Sequence, residues 1–199
     1  MFIRNENFRS FIHHYPIVTT LLVIHIVLWL VISIFPGGQQ LLYMGIGSNY
    51  DVYQGEYWRL LTPIFLHSSF GHMLFNSFSL ILFGPALEKM LGKPTFIITY
   101  LLSGVLANVG TYFVGPINYY HLGSSSSIFG LFGVYLYMVI YRKDLIDRMN
   151  AQVIISILVI GLAMTFFRAN VNVYAHIFGL LGGAALAPIV LRKASRYYG

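Results

Sequence analysis

The sequence predicts an all-α fold: a polytopic bundle of six transmembrane helices with an interfacial, partly embedded loop between the first two. Three observations carry that expectation. Of 199 residues, 57% are apolar and only 9% charged, against about 25% charged in an ordinary soluble domain. Six apolar segments recur, each long enough or nearly long enough to cross lipid, and apolar around most of its circumference. Lysine and arginine collect in alternate connections between them. An ordinary soluble globular protein is excluded, and six spans leave little chain for any further domain, so residues 1–199 read as one membrane domain.

The elements follow in order. The first apolar run, about 17–35, exceeds the roughly 7–15 residues of a signal-peptide core, and Pro36-Gly37-Gly38-Gln39 makes a poor cleavage site, so it reads as a retained span. The connection of about 36–69 is unlike a plain loop. Tyr50, Tyr53, Tyr57 and Trp58 suit a membrane–water interface. Leu60-Leu61-Thr62-Pro63-Ile64-Phe65-Leu66 is too short to cross and too apolar for water. Spans are then expected at about 70–87, 95–114, 126–141, 152–167 and 174–191.

With both termini in the cytoplasm, ten of the twelve basic residues fall inside: Arg4, Arg9, Lys89, Lys93, Arg142, Lys143, Arg148, Arg192, Lys193 and Arg196. Only Arg59 and Arg168 fall outside. The formal charge of +6 is thus a topology signal with attraction to anionic lipid, and not a nucleic-acid signature. The expected location is the plasma membrane. The chain has no cysteine, which excludes disulfides, thiolate zinc sites and iron–sulfur clusters.

Four polar residues converge at one depth, where polar groups in lipid need an account. His72 and Asn76 lie in span 2, Ser125 begins span 4, and His176 lies near the start of span 6, all at outer ends. Span 4 is short, about 24 Å at 1.5 Å per residue, against a hydrocarbon core of about 30 Å. Its N-terminus is therefore submerged, with Gly123 allowing a sharp turn into it. Free N–H groups and the helix dipole there favour negative charge, as an oxyanion requires. Serines at a helix start also serve as caps, which is the competing account.

His176 has the chemistry of a general base, or else of a packing histidine bonded to a carbonyl. Ala175, Gly179, Gly183 and Ala187 form a small-residue stripe beside it, and Gly130 and Gly133 supply a facing surface on span 4. Close approach of those spans would bring Ser125 and His176 together. His72 and Asn76, four apart, share one face of span 2 and can donate hydrogen bonds without carrying charge; interhelical bonding is the alternative. No acid is placed to complete a triad: only Asp51 and Glu56 lie outside, both in the long loop. Phe129, one turn beyond Ser125, is a candidate to orient the imidazole by packing. His25 in span 1 reads as structural. No zinc motif, phosphate loop or dinucleotide fingerprint is present, and no metal or other cofactor is expected.

These residues, in this order, resemble the rhomboid family of intramembrane serine proteases. The resemblance runs through Trp58-Arg59, through Phe65-Leu66-His67 leading to His72-x-x-x-Asn76, and through Glu88-x-x-Leu91-Gly92. It continues in Gly123-Ser124-Ser125-Ser126-x-Ile128-Phe129-Gly130 and in Ala175-His176-x-x-Gly179-x-x-x-Gly183. It implies peptide-bond hydrolysis of transmembrane protein substrates, with Ser125 as nucleophile and His176 as base. It further implies an oxyanion hole of His72, Asn76 and the Ser125 amide, and a lateral substrate route flanked by spans 2 and 5. The chain departs from the family pattern at Ser126, where a glycine is usual, and at Phe178, where many relatives have glycine. The serine run leaves Ser124 and Ser126 as alternative nucleophiles. The runner-up function is a catalytically silent rhomboid-like protein that binds or escorts transmembrane clients. A small transporter comes third, disfavoured because no polar groups continue inward. Substrate identity and oligomeric state are not readable from the sequence.

Overall fold

The computed structural model describes residues 1–2, 4–167, 171–192 and 194. Arg168, Lys193 and Arg196, which entered the charge pattern, lie outside the described residues. The helices are α1 (Phe8–His14), α2 (Pro16–Ile34), α3 (Gly38–Gly45), α4 (Asn49–Tyr53), α5 (Phe70–Leu91), α6 (Lys93–Val114), α7 (Ser125–Tyr141), α8 (Arg148–Phe167) and α9 (Val173–Val190). Short 3-10 turns at Tyr57–Leu60 and Thr62–Phe65 lie between α4 and α5. A two-residue antiparallel pair, β1 (Gly47–Ser48) on β2 (Tyr120–His121), is the strand content among the described residues. Five helices (α2, α5, α6, α8 and α9) are long and apolar enough to cross a membrane, and α7 is an apolar helix of 17 residues. The protein is an all-helical, multi-pass integral membrane bundle.

Two helix ends differ from the sequence expectation. α5 runs on to Leu91, past the expected end at 87, although Pro85 lies inside it. A proline deprives the carbonyl four residues earlier of its N–H partner. Here that carbonyl, Ile81 O, accepts instead from Arg4 Nη2 at 2.8 Å, so the helix survives and the N-terminal segment docks on it. Gly92, at φ +77°, then ends the helix. α8 starts four residues before the expected 152, in a first turn that carries Arg148 and the buried Asn150.

The start of α2 is capped from a distance. Its flanking residue Tyr15 offers no side-chain cap. The amides of Ile17 and Val18 donate instead to the Glu88 carboxylate at 2.9 and 2.8 Å. That carboxylate offsets orphan donors and complements the positive end of the helix.

α7 is the centre of the bundle, packed between α6 and α9 and buried along most of its length. Glycines set how close α9 comes. A Cβ on Gly183 would stand 2.6 Å from the Gly130 carbonyl carbon and 2.8 Å from its Cα. A Cβ on Gly133 would meet the Leu180 carbonyl, and one on Gly179 the Ser126 carbonyl. Ala175, Gly179, Gly183 and Ala187 are all buried. On α6, Gly110 lacks a side chain where Phe178 packs, with 2.8 Å between the Phe178 Cβ and the Cβ that Gly110 does not have. The bulk at Phe178 is thus matched by an absence on the facing helix.

The connection between α2 and α5 is held by its backbone carbonyls. Arg59, 4% exposed, donates to Tyr43 O at 2.7 Å and Ile46 O at 2.8 Å. It also pairs with Glu56 at 2.6 Å and Asp51 at 3.6 Å. Trp58 Nε1 donates to Met44 O, Thr62 Oγ1 to Gly45 O, and Asn108 of α6 to Leu60 O. An irregular segment has no helical ladder to satisfy its carbonyls, and these side chains do so instead.

Candidate active site

The turn into α7 is built around Gly123. Its φ of +122° lies in the region that favours glycine, and its N–H donates to Pro63 O at 2.9 Å, which ties the turn to the long connection. A side chain at Gly123 would also have no room: a Cβ there would fall 2.6 Å from His72 Nε2. Glycine is therefore required twice over, and its bare face puts His72 directly beside the strand of chain that leads to Ser125.

The four serines of the run are not equivalent. Ser124 is fully buried, with its Oγ 3.3 Å from His67 Nε2. Ser126 is buried, and its hydroxyl turns back to donate to Gly123 O at 3.5 Å. Ser127 is buried against Gly104. Ser125 alone is partly exposed, at the first position of α7. The capping account finds no support in the geometry, because Ser124, at the cap position, makes no side-chain capping bond. Ser126 sits in helical backbone within α7, a conformation open to any residue.

His176, 8% exposed, is held on two sides. Its ring stacks on Phe129 with centroids 4.0 Å apart and planes 13° from parallel. Phe129 lies one turn beyond Ser125 on the same face of α7, so this stack brings the imidazole to the face that carries Ser125. At its edge, His176 Nδ1 lies 2.7 Å from Thr165 Oγ1 of α8. Among the described residues no hydrogen bond joins Ser125 to His176; in resting enzymes such contacts are often long and tighten only with substrate.

His72 and Asn76 both face the turn. The His72 ring packs edge-on against His67 at 5.2 Å, and its Nδ1 lies 3.5 Å from Ser68 Oγ. Asn76 Nδ2 is buried, finds no partner among the described protein groups, and lies 3.7 Å from where a Cβ on Gly123 would be. A buried amide donor without an internal partner is uncommon. His25 is fully buried in α2, with its ring 4.9 Å from that of His67, so it backs the same cluster from behind.

The structure therefore gathers Ser125, His176, His72, Asn76 and Phe129 at one end of the α5–α7–α9 contact, with Gly130, Gly179 and Gly183 as the close-packing positions below. Sequence reading missed Thr165. A hydroxyl eleven residues before a histidine, on a different helix, carries no local signal; only the packing of α8 on α9 reveals it.

Comparison with known proteins identifies the family. The Rhomboid domain profile matches residues 54–193. The chain is 48% identical to YdcA of Bacillus subtilis, a provisionally named rhomboid protease, over all of both chains. It is 36% identical to the rhomboid protease GluP of the same organism, over 80% of this chain and 31% of GluP. Rhomboid-like protease 1 of Toxoplasma gondii is 27% identical over 87% of this chain and 64% of that protein. With a family match over more than half its length and a whole-length relative at nearly half identity, the chain belongs to the rhomboid family of intramembrane serine proteases.

Proposed function

We propose that this intramembrane serine endopeptidase works through a Ser125–His176 dyad, with His72, Asn76 and the Ser125 amide as the oxyanion hole. The stack of His176 on Phe129 at 4.0 Å, one turn from the partly exposed Ser125, is the observation that carries the reading. In the acylation step His176 Nε2 takes the Ser125 hydroxyl proton while Oγ attacks the scissile carbonyl carbon. The carbonyl oxygen becomes an oxyanion, which accepts hydrogen bonds from Asn76 Nδ2, the His72 ring and the Ser125 N–H. Collapse of the tetrahedral intermediate breaks the C–N bond, and His176 returns the proton to the leaving amine. Water, deprotonated by His176, then attacks the acyl-enzyme and restores Ser125. The unpartnered Asn76 Nδ2 supports its assignment, since a donor awaiting a transient charge has no competing bond to give up.

The membrane setting is part of the same proposal. Six spans (α2, α5, α6, α7, α8 and α9) form a single domain over residues 1–199, with both termini in the cytoplasm and the connection of about 36–69 partly embedded in the outer leaflet of the plasma membrane. Substrates are transmembrane proteins cut near that leaflet, at a place where their helix unwinds. A shortfall of α7 against lipid thickness supports a submerged Ser125. The absence of cysteine makes single-cysteine mapping direct: Gly37→Cys should label from outside, and Lys143→Cys only after permeabilisation. No observation favours the silent, client-escorting reading.

The deciding experiment labels the detergent-purified protein with a fluorescent fluorophosphonate and measures cleavage of a single-span reporter, in wild type, Ser125→Ala and His176→Ala. Labelling and cleavage should vanish in both variants. Unchanged cleavage in Ser125→Ala would overturn the assignment.

A further inference from the structure

The bonding at Thr165 Oγ1 fixes more than a contact. The hydroxyl lies 2.7 Å from Gly161 O, to which it donates, and 2.7 Å from His176 Nδ1. A threonine hydroxyl has one proton, and the Gly161 carbonyl can only accept. With that proton committed, the bond to His176 runs the other way: Nδ1 carries the hydrogen and Thr165 accepts it. The neutral imidazole is thereby held as its Nδ1–H tautomer, and Nε2 keeps the lone pair that a base needs. Thr165 is 2% exposed, so water does not compete for either bond. One turn earlier on α8, the space a Gly161 Cβ would take is 3.4 Å from Phe129 Cζ. One face of α8 therefore backs both the base and the aromatic ring it stacks on.

We propose that Thr165 is the positioning residue of the general base, the third member of a Ser125–His176–Thr165 arrangement in which a neutral hydroxyl does the orienting that a carboxylate does in soluble triads. This rests on the Ser125–His176 dyad proposed above. A neutral acceptor suits the site. A carboxylate at this depth would add a charge in lipid, and no acid lies within the spans on this side. The Thr165 hydroxyl also continues to accept from Nδ1 when Nε2 gains the proton, so the bond persists through the transfer. Because the acceptor belongs to α8 and the imidazole to α9, the base is oriented only while those two helices are seated on one another.

The test compares Thr165→Val, which keeps the shape and removes the hydroxyl, with Thr165→Ser, which keeps the hydroxyl. Reporter cleavage is resolved into kcat and KM, and the ring nitrogens of His176 are read by NMR of protein labelled with 15N-histidine. The His176 signals are assigned by difference against His176→Ala. Wild type should give a protonated Nδ1 and an unprotonated Nε2. Thr165→Val should lose about tenfold in kcat, with KM within about twofold, and should show the opposite tautomer; Thr165→Ser should restore both. An Nε2–H tautomer at His176 in wild type refutes the proposal without any Thr165 variant, even if Thr165→Val does not fold. It is equally overturned if Thr165→Val keeps wild-type kcat, or if Thr165→Ser loses as much as Thr165→Val, since methyl packing would then be the cause. Ser125→Ala separates the two levels: full cleavage in that variant would sink the dyad itself, whereas a dead Ser125→Ala beside a fully active Thr165→Val would sink only the role of Thr165.

Discussion

Replacing Gly183 with alanine asks whether the closeness of α7 and α9 is what makes the site work. The new Cβ would stand 2.6 Å from the Gly130 carbonyl carbon and 2.8 Å from its Cα, with the Gly130 oxygen nearer still. Ordinary contact begins at 3.4 Å, so α9 must retreat from α7 by at least the difference, 0.8 Å. The obstacle is backbone in the middle of a helix and has no rotamer into which to swing aside. Overpacking of this kind costs about 1–3 kcal/mol. His176 lies two turns before Gly183 on the same face of α9, so the retreat carries the imidazole away from Ser125. A misplacement of about 1 Å costs on the order of a hundredfold in rate. Reporter cleavage in Gly183→Ala should therefore fall by about 30- to 100-fold, with a measurable loss of thermal stability in detergent. Gly182→Ala is the matched control. Its Cβ would lie 3.4 Å from Leu106 Cβ and Cδ1, ordinary contact with a side chain, and its stability should stay within about 0.5 kcal/mol of wild type. Wild-type cleavage by Gly183→Ala would refute the reasoning.

Three further outcomes are expected. Arg59→Ala leaves two carbonyls and two carboxylates without their shared cation, at a cost of about 3–5 kcal/mol in detergent unfolding. Arg59→Lys should recover less than half, because an ammonium cannot reproduce the planar fork; an Ala variant as stable as wild type would count against the anchor. Phe129→Leu keeps bulk but loses the stacked ring, and should slow kcat about threefold to tenfold, by the worth of an aromatic pair, while Phe129→Tyr stays near wild type; an unchanged kcat in Phe129→Leu would deny the stack any role in orienting the base. At His121, outside the spans, burial pushes the imidazole down from 6.5 to about 4. The unfolded chain then binds that proton more readily, so the contribution of His121 is complete above about pH 6.5 and is lost as the pH falls toward 4. The stability difference between wild type and His121→Phe should move against wild type across that window and stay flat above it; a difference independent of pH would show that the ring titrates normally.

The long helices were legible because lipid demands unbroken apolar runs, and their middles match the expectation to within a turn. The ends were less so, since they depend on distant partners. Pro85 suggests a stop, yet α5 continues because Arg4, seventy-seven residues away, takes the freed carbonyl. In the connection between α2 and α5, aromatic residues signalled an interface, but nothing in the string foretold that Arg59 would bond the carbonyls of Tyr43 and Ile46. At the site, His72, Asn76, Ser125 and His176 stood out as polar residues in apolar surroundings. Thr165 did not, because a threonine in a span normally bonds to its own helix, as Thr19 and Thr99 do here. Thr165 makes that same local bond and a second one across helices. The order within the serine run was also hidden, since it follows from which side of α7 faces the bundle.

The cap on α2 bears on how the chain is made. Ile17 and Val18 leave the ribosome with two donors that the structure satisfies only through Glu88, some seventy residues later. Arg4 likewise waits for the Ile81 carbonyl that Pro85 has released. Helix α2 is therefore completed only after α5 has been made, and its seating depends on the C-terminal end of α5. A nascent chain halted before residue 88 therefore holds the apolar α2 without the carboxylate that caps it, and α2 is seated only once synthesis has passed the end of α5.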